Sequence, residues 1–376
     1  MLDCIDSRSP FFRKELHILF RLLPTASALI LLLATATSVS AQSKRKVIID
    51  QDARGPATTD QQSILLLIQS PQTEVLGITV VSGDQWRDEE VAHTLRTLEI
   101  IGRTDIPVVP GAIFPLVRTR EDVERWEKLY GKVVYKGAWN PGYRSDPYAI
   151  PAMPEGTPTT KPSTEDAAHF LIRMVHKYPH EITIYAGGPL TNLAIATALD
   201  PEFPKLAQEL VFMGPIINPG SADPEFYQAP RRGFNCWWDP EATRIVFRSP
   251  WPKITVTTID ISIKTDLTKA MIGDLAKSGS PVAQYVSKYT HGGYMWDELA
   301  AEAWLDPSIV TKEQFLYMDI SLDRGPSYGD TLVWPAGSQP GLGEQRVHII
   351  DEIDNAKLDR LFMELMTRPT PPAPSK

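Results

Sequence analysis

Lys46-Val47-Ile48-Ile49-Asp50-Gln51-Asp52 is a short β-branched apolar run that ends in acid. With no polar alternation, such a run reads as a strand buried on both faces, as in a parallel sheet. Working outward, a helical pattern follows from Gln61 to Gln69, a second apolar strand from Val75 to Val81, and a helix from Glu89 to Gly102 closed by glycine. Ile106 to Val109 supplies a third strand. The alternation resumes with a helix from Thr164 to Lys177, a strand from Ile182 to Ala186, a helix from Thr191 to Leu199 and a strand from Glu209 to Met213. This rhythm predicts an α/β fold, an open, mostly parallel Rossmann-like sheet with helices on both faces. In such sheets ligands sit outside the carboxyl ends of the strands, so the polar residues just after each strand are the candidates for chemistry. Segments 113–163 and 214–236 are rich in Pro, Gly, Arg and aromatic residues without periodicity, and read as lids or binding loops.

Upstream of the first strand, Arg8, Arg13, Lys14 and Arg21 precede an apolar run from Ala28 to Ala34 and the small residues Val39-Ser40-Ala41. That is the pattern of a secretory leader cleaved after Ala41, its apolar core far short of the roughly 20 residues that span a bilayer. The expected organisation is therefore a signal peptide over 1–41, one catalytic domain over 42–366 and a disordered proline-rich tail over 367–376, with a periplasmic or secreted destination. The whole chain carries a formal charge of −8, and the leader holds one more basic than acidic group, so the mature chain is more acidic still. Nucleic acid is excluded as a partner on that ground, and no membrane association is expected once the leader is gone. Of the two cysteines, Cys4 lies in the leader and Cys236 is left alone, which rules out an internal disulfide in the mature chain.

Asp50-Gln51-Asp52 is followed by a Gly/Pro/Thr loop and then by Asp60 at the start of the next helix. Carboxylates gathered at one sheet edge repel unless they are protonated or bind a cation, and a hard ion such as Ca²⁺ or Mg²⁺ suits oxygen ligands. Taken alone, Asp60 also reads as a helix-capping residue and Asp52 as a turn former. Three further segments bear on the choice. They are Gly188-Pro189-Leu190-Thr191-Asn192, then Gly233-Phe234-Asn235 with Trp238-Asp239-Pro240-Glu241-Ala242, and Tyr294-Met295-Trp296-Asp297 with Leu305-Asp306-Pro307-Ser308.

In order and spacing these segments resemble the inosine-uridine-preferring nucleoside hydrolases, over nearly the whole mature chain from Lys46 to Met366. The resemblance implies hydrolysis of the N-glycosidic bond of ribonucleosides or related ribosides, with Ca²⁺ as cofactor. It makes Asp52, Asp60, the Thr191 carbonyl oxygen and Asp297 the metal ligands. Asp52 would also be the general base, taking a proton from a calcium-bound water that attacks the anomeric carbon. Asn235 and Asp84 would contact the substrate, and a homo-oligomer binding a small nucleoside or riboside is expected.

The chain departs from the family pattern at the site itself. Trp296 stands where many members carry a proton-donating histidine, and is read as an aromatic wall for the base, with Trp126, Trp139 or Trp86 as the opposite wall. His291, five residues earlier, is a second candidate donor. The loop Ala53–Thr59 is several residues longer than usual, with Thr59 where a second adjacent aspartate is expected. Asp84 replaces a common asparagine, and Gly233 stands where an acidic residue usually binds the ribose end. Arg54, Arg231 and Arg232 are candidates for holding a phosphate on an altered substrate.

Two other readings are distinguishable. A haloacid-dehalogenase-like phosphohydrolase also places Asp-x-Asp after a first strand, yet leaves Gly188–Asn192 and Trp296-Asp297 unexplained. A non-catalytic calcium- and riboside-binding protein of the same fold would keep the metal ligands without turnover.

Overall fold

The computed structural model describes residues 43–373, so the expected leader and the last three residues lie outside the described residues. The opening run forms β1 (Arg45–Gln51), which lies between β2 (Thr73–Val80) and β4 (Ile182–Ala186), parallel to both. Its side chains alternate between layers, as a strand's period of two requires. Val47 and Ile49 enter one core, Ile48 the other, and all three are wholly buried. Full burial of each contributes about 1.5–3 kcal/mol, which explains why Val47 to Ile49 carry no polar group.

The sheet has nine strands in the order β3-β2-β1-β4-β5-β6-β9-β7-β8, with β3 (Val108–Pro110), β5 (Glu209–Met213), β6 (Ile254–Thr257), β7 (Val310–Ile320), β8 (Thr331–Trp334) and β9 (Gln345–Ile353). Seven strands run parallel, and β7 and β8 join antiparallel at one edge. The expected fold class is thus the observed one. One layer contains α1 (Thr59–Gln69), α2 (Arg87–Ile101) and the helices Trp296–Leu305 and Asn355–Thr367. The other contains α4 (Ala167–Lys177), α5 (Thr191–Leu199) and the helix Pro240–Phe247. Gly102 ends α2 at φ +73°, a left-handed conformation that a side chain disfavours.

Segment 113–163, read as irregular, contains α3 (Arg120–Tyr130), whose N-cap Thr119 accepts from the Asp122 N–H. It is a surface helix with only Val123 and Glu127 buried, so its apolar stripe was too thin to stand out. Segment 214–236 likewise holds the short helices Pro224–Gln228 and Phe234–Trp238. At the other end, the last helix runs through Thr367, and the Arg368 carbonyl accepts from Gln69 and Ser280, so the first residues of the expected tail are tied to the domain. Among the described residues no helix is long and apolar enough to cross a membrane.

Candidate active site

The register brings Asp50 of β1 level with Thr79 of β2 and Ala186 of β4, so the loops after all three strands emerge together. Asp50 itself is a post for those loops. Its Oδ1 accepts from Thr79 Oγ1 at 2.5 Å and from Asn192 Nδ2 at 2.7 Å, while Asn192 Oδ1 accepts from the Ala112 N–H at 2.8 Å. Asp52, one step beyond the strand, is held between two glycines. A Cβ on Gly83 would stand 2.1 Å from Asp52 Oδ2, and one on Gly188 would stand 2.6 Å from the Asp52 nitrogen. The sequence Gly188-Pro189 therefore serves close approach to an acid.

A cavity of about 260 Å³ opens above these strand ends. Asp52, Asp60, Asp84, Asn235, Trp296 and Asp297 all line it, so the structure brings together six of the seven site residues expected from sequence. Thr191 is the exception. It is buried at the start of α5, its hydroxyl donates to Asp239 Oδ2 at 2.8 Å, and it is not among the residues lining the cavity. Asp239, from the Trp238-Asp239-Pro240 segment, also accepts from the Leu116 and Ala242 N–H groups, and so acts as a brace.

Each lining residue has a local reason for its pose. Asp52 Oδ2 accepts from the Asp84 N–H at 3.0 Å, and the Asp52 N–H donates to Gln51 Oε1 at 3.1 Å. Asp60 lies in the first turn of α1, where the helix dipole favours an acid, and its Oδ2 accepts from Thr58 Oγ1 at 2.9 Å. Thr59, in the place of an expected aspartate, bridges instead: its hydroxyl bonds to Asp297 Oδ2 at 3.3 Å and to Glu298 Oε2. Asn235 donates its amide to the carbonyls of Gly187 and Met213, which fixes the side chain at the cavity wall.

Burial raises the pKa of Asp52 and Asp60 well above the usual carboxylate range, and the charges of Asp84 and of neighbouring acids push in the same direction. Burial likewise raises Asp297, with the Asp84 charge adding to it. Asp297 Oδ1 is buried without a hydrogen-bond partner. Among the described residues no three His, Cys, Asp or Glu side chains lie close enough together to hold a metal ion by themselves. The donor set is nevertheless all oxygen, mutually repelling, and carries one orphaned carboxylate atom, which fits a hard cation whose remaining ligands come from elsewhere.

The aromatic wall differs from expectation on one side. Trp296 lines the cavity as read from sequence, but Phe226, Phe234 and Tyr135 are the other aromatic residues there. Phe226 meets Trp296 edge-on, with ring centroids 6.1 Å apart. Trp86 and Trp139 sit instead in a satellite core with Trp237 and Trp238, where Trp139 stacks on Trp238 at 4.0 Å. Trp126 lines an adjoining cavity, with the Arg232 guanidinium 4.5 Å over its ring. Large rings in a loop segment gave no sign from sequence of which would be claimed by a local core.

Of the three arginines considered for an anion, Arg54 alone lines the cavity, with Nη1 donating to Tyr135 Oη at 3.3 Å and lying 3.8 Å from Asp84 Oδ2. Arg232 pairs with Asp330 at 3.4 Å, and Arg231 is exposed outside the cavity. His291 is exposed in a neighbouring groove that shares Trp296. Sequence reading missed Tyr135, Phe226 and Glu225, all from the two aperiodic segments. A signal existed for the last two, since Asp223-Pro224-Glu225 is a helix start, with the Asp223 side chain accepting from the Glu225 N–H at 2.9 Å.

The family model of inosine-uridine preferring nucleoside hydrolases matches residues 47–360. The chain belongs to this family. That membership makes it an N-glycosyl hydrolase and removes the phosphohydrolase alternative. Over 324 residues it is 30% identical to an uncharacterised protein of Schizosaccharomyces pombe, covering 81% of this chain and 80% of the other. Over 242 residues it is 31% identical to the pyrimidine-specific ribonucleoside hydrolase RihA of Citrobacter koseri, covering 64% of this chain and 69% of that one. Among solved structures, the plant nucleoside hydrolase PpNRh1 superposes with a TM-score of 0.68 at 25% identity, over 86% of this chain and 99% of the other.

Proposed function

We propose that the mature chain hydrolyses the N-glycosidic bond of ribonucleosides or closely related ribosides, releasing ribose and free base, with Asp52 as general base. The observation that carries this reading is the convergence of Asp52, Asp60, Asp84 and Asp297 in one cavity beside Asn235 and Trp296. Asp52 is fixed by the Asp84 N–H through one oxygen and is positioned to take the proton of an attacking water through the other. The developing charge on the ribose in such a cleavage is positive, and the surrounding carboxylates stabilise it. Asn235 Oδ1 and Asp84 hold sugar hydroxyls, and Trp296 packs against the base.

Asp52, Asp60 and Asp297, together with the Thr191 carbonyl, would hold Ca²⁺. When bound, the cation supplies charge that relieves the carboxylate repulsion, lowers the pKa of water and anchors sugar hydroxyls. The reading places the enzyme in the periplasm or outside the cell, acting as a homo-oligomer on small ribosides.

The test is to follow release of free base from a purine and a pyrimidine nucleoside after exhaustive chelation and after calcium is restored. Activity lost on chelation and regained with calcium supports the reading. Activity indifferent to both treatments would remove the cation from it.

A further inference from the structure

Cleavage of an N-glycosidic bond leaves electrons on the base nitrogen, so the leaving group needs a proton unless it is already stabilised. The residue before Asp297 cannot give one, because Trp296 carries an indole there. The cavity contains one carboxyl group outside the clustered aspartates, that of Glu225 on the short helix Pro224–Gln228. Its neighbour Phe226 lines the same cavity and packs edge-on against Trp296, so this short helix contributes both an acid and an aromatic ring to the site. Among the described residues its carboxyl forms no hydrogen bond or ion pair.

A Cβ on Gly233 would stand 1.9 Å from the carbonyl oxygen of Gly214, so no side chain fits at that position in this fold. The chain between Gly214 and Gly233 loops out and returns Glu225 and Phe226 into the cavity.

We propose that Glu225 is the general acid that protonates the departing base, an inference that rests on the hydrolase reading above. In the step, a water oxygen bonds to the anomeric carbon and its proton passes to Asp52. The bond between that carbon and the base nitrogen breaks with its electron pair going to nitrogen, which takes the Glu225 proton. Asp52 then releases a proton to solvent and Glu225 regains one, so the sum is riboside plus water giving ribose plus neutral base.

The charged groups around Glu225 suit this role. Asp223 lies on the same helix and Asp84 across the cavity, with Arg54 and Tyr135 beyond it, while Lys132 and Arg232 face it from the adjoining cavity. Arg232 is occupied by Asp330. Burial, then the charges of Asp223 and Asp84, push the Glu225 carboxyl up to about 7, so a substantial fraction carries a proton at neutral pH.

The experiment compares the calcium-loaded wild-type chain with Glu225→Gln on inosine, uridine and p-nitrophenyl riboside, whose leaving group needs no proton. The expected result is a loss of kcat of about 10²- to 10³-fold on the nucleosides, near-wild-type rates on the nitrophenyl substrate, and disappearance of the fall in activity above about pH 7. Equal losses on all three substrates, or a change confined to KM, would overturn the assignment in favour of a positioning role. Unchanged nucleoside rates would also overturn it while leaving the hydrolase reading intact. A wild-type chain inert on every substrate would overturn both.

Discussion

Asp52 Oδ2 accepts a hydrogen bond from the backbone N–H of Asp84 at 3.0 Å, which ties the acid after β1 to the loop after β2. One carboxylate oxygen is thereby fixed by the fold and the other is left to act. An asparagine side-chain oxygen can accept the same bond but cannot take a proton from water. Asp52→Asn is expected to reduce kcat by about 10³-fold or more while leaving the thermal midpoint of the cation-free chain unchanged or raised, because the carboxyl no longer adds to the crowding of acids. Steady-state rates and a melting curve on the same preparation check this. Near-wild-type turnover would contradict the assignment of the base.

Trp296 lines the cavity immediately before Asp297 at the start of its helix. Trp296→Ala is expected to lower kcat/KM for purine nucleosides by about tenfold or more, the order of an aromatic contact, and to affect an activated nitrophenyl riboside much less. Parallel kinetics on the two substrates measure the difference. Equal losses would make the ring structural.

Burial pushes Asp50 up to about 7 and Glu298 up to about 8, with the Asp297 charge contributing to the latter. In the cation-free chain both therefore hold protons that the unfolded chain, titrating near 4, releases. Their stabilising contribution is fully present below about pH 4 and is lost as pH rises through 7 to 8. The chelated protein should melt at progressively lower temperature from pH 5 to pH 8. Calcium should raise the midpoint by several degrees at pH 8, about 2.7 kcal/mol at a hundredfold excess over its Kd, and by much less at pH 5. Scanning calorimetry with and without chelator checks both slopes, and a calcium effect that is flat with pH would count against carboxylate ligation.

Gly233 leaves no space for a side chain, the Gly214 carbonyl oxygen lying 1.9 Å from the Cβ position. Gly233→Ala should cost about 1–3 kcal/mol or more in urea unfolding, since backbone rather than a flexible side chain must move. A neutral result would mean that this loop repacks freely.

Much of this could be read from the chain beforehand. Strands such as Ile182–Ala186 and Glu209–Met213 were legible to the residue because each is a short, mostly apolar and β-branched or aromatic run bounded by turn residues, as burial on both faces favours. Asp52 and Asp60 stand out in the chain because one follows a strand and the other opens a helix, whereas Asp297 is singled out only through the resemblance to the family; all three line one cavity. The base-facing wall was not. Tyr135, Glu225 and Phe226 come from segments without periodicity, and only three-dimensional packing decides that Trp86 and Trp139 join Trp238 in a core while Phe226 faces Trp296. The antiparallel edge escaped for a related reason, since the long, half-exposed β7 shows neither a pure apolar run nor a strict alternation and β8 is only four residues long.

The most direct measurement is simultaneous chromatography of free base and ribose released from a panel of purine and pyrimidine nucleosides by the calcium-loaded chain. The account predicts that base and ribose appear in equal amounts from at least one nucleoside. Nucleosides that bind, as seen by calorimetry, but yield neither product would contradict it and leave a binding protein on a hydrolase fold.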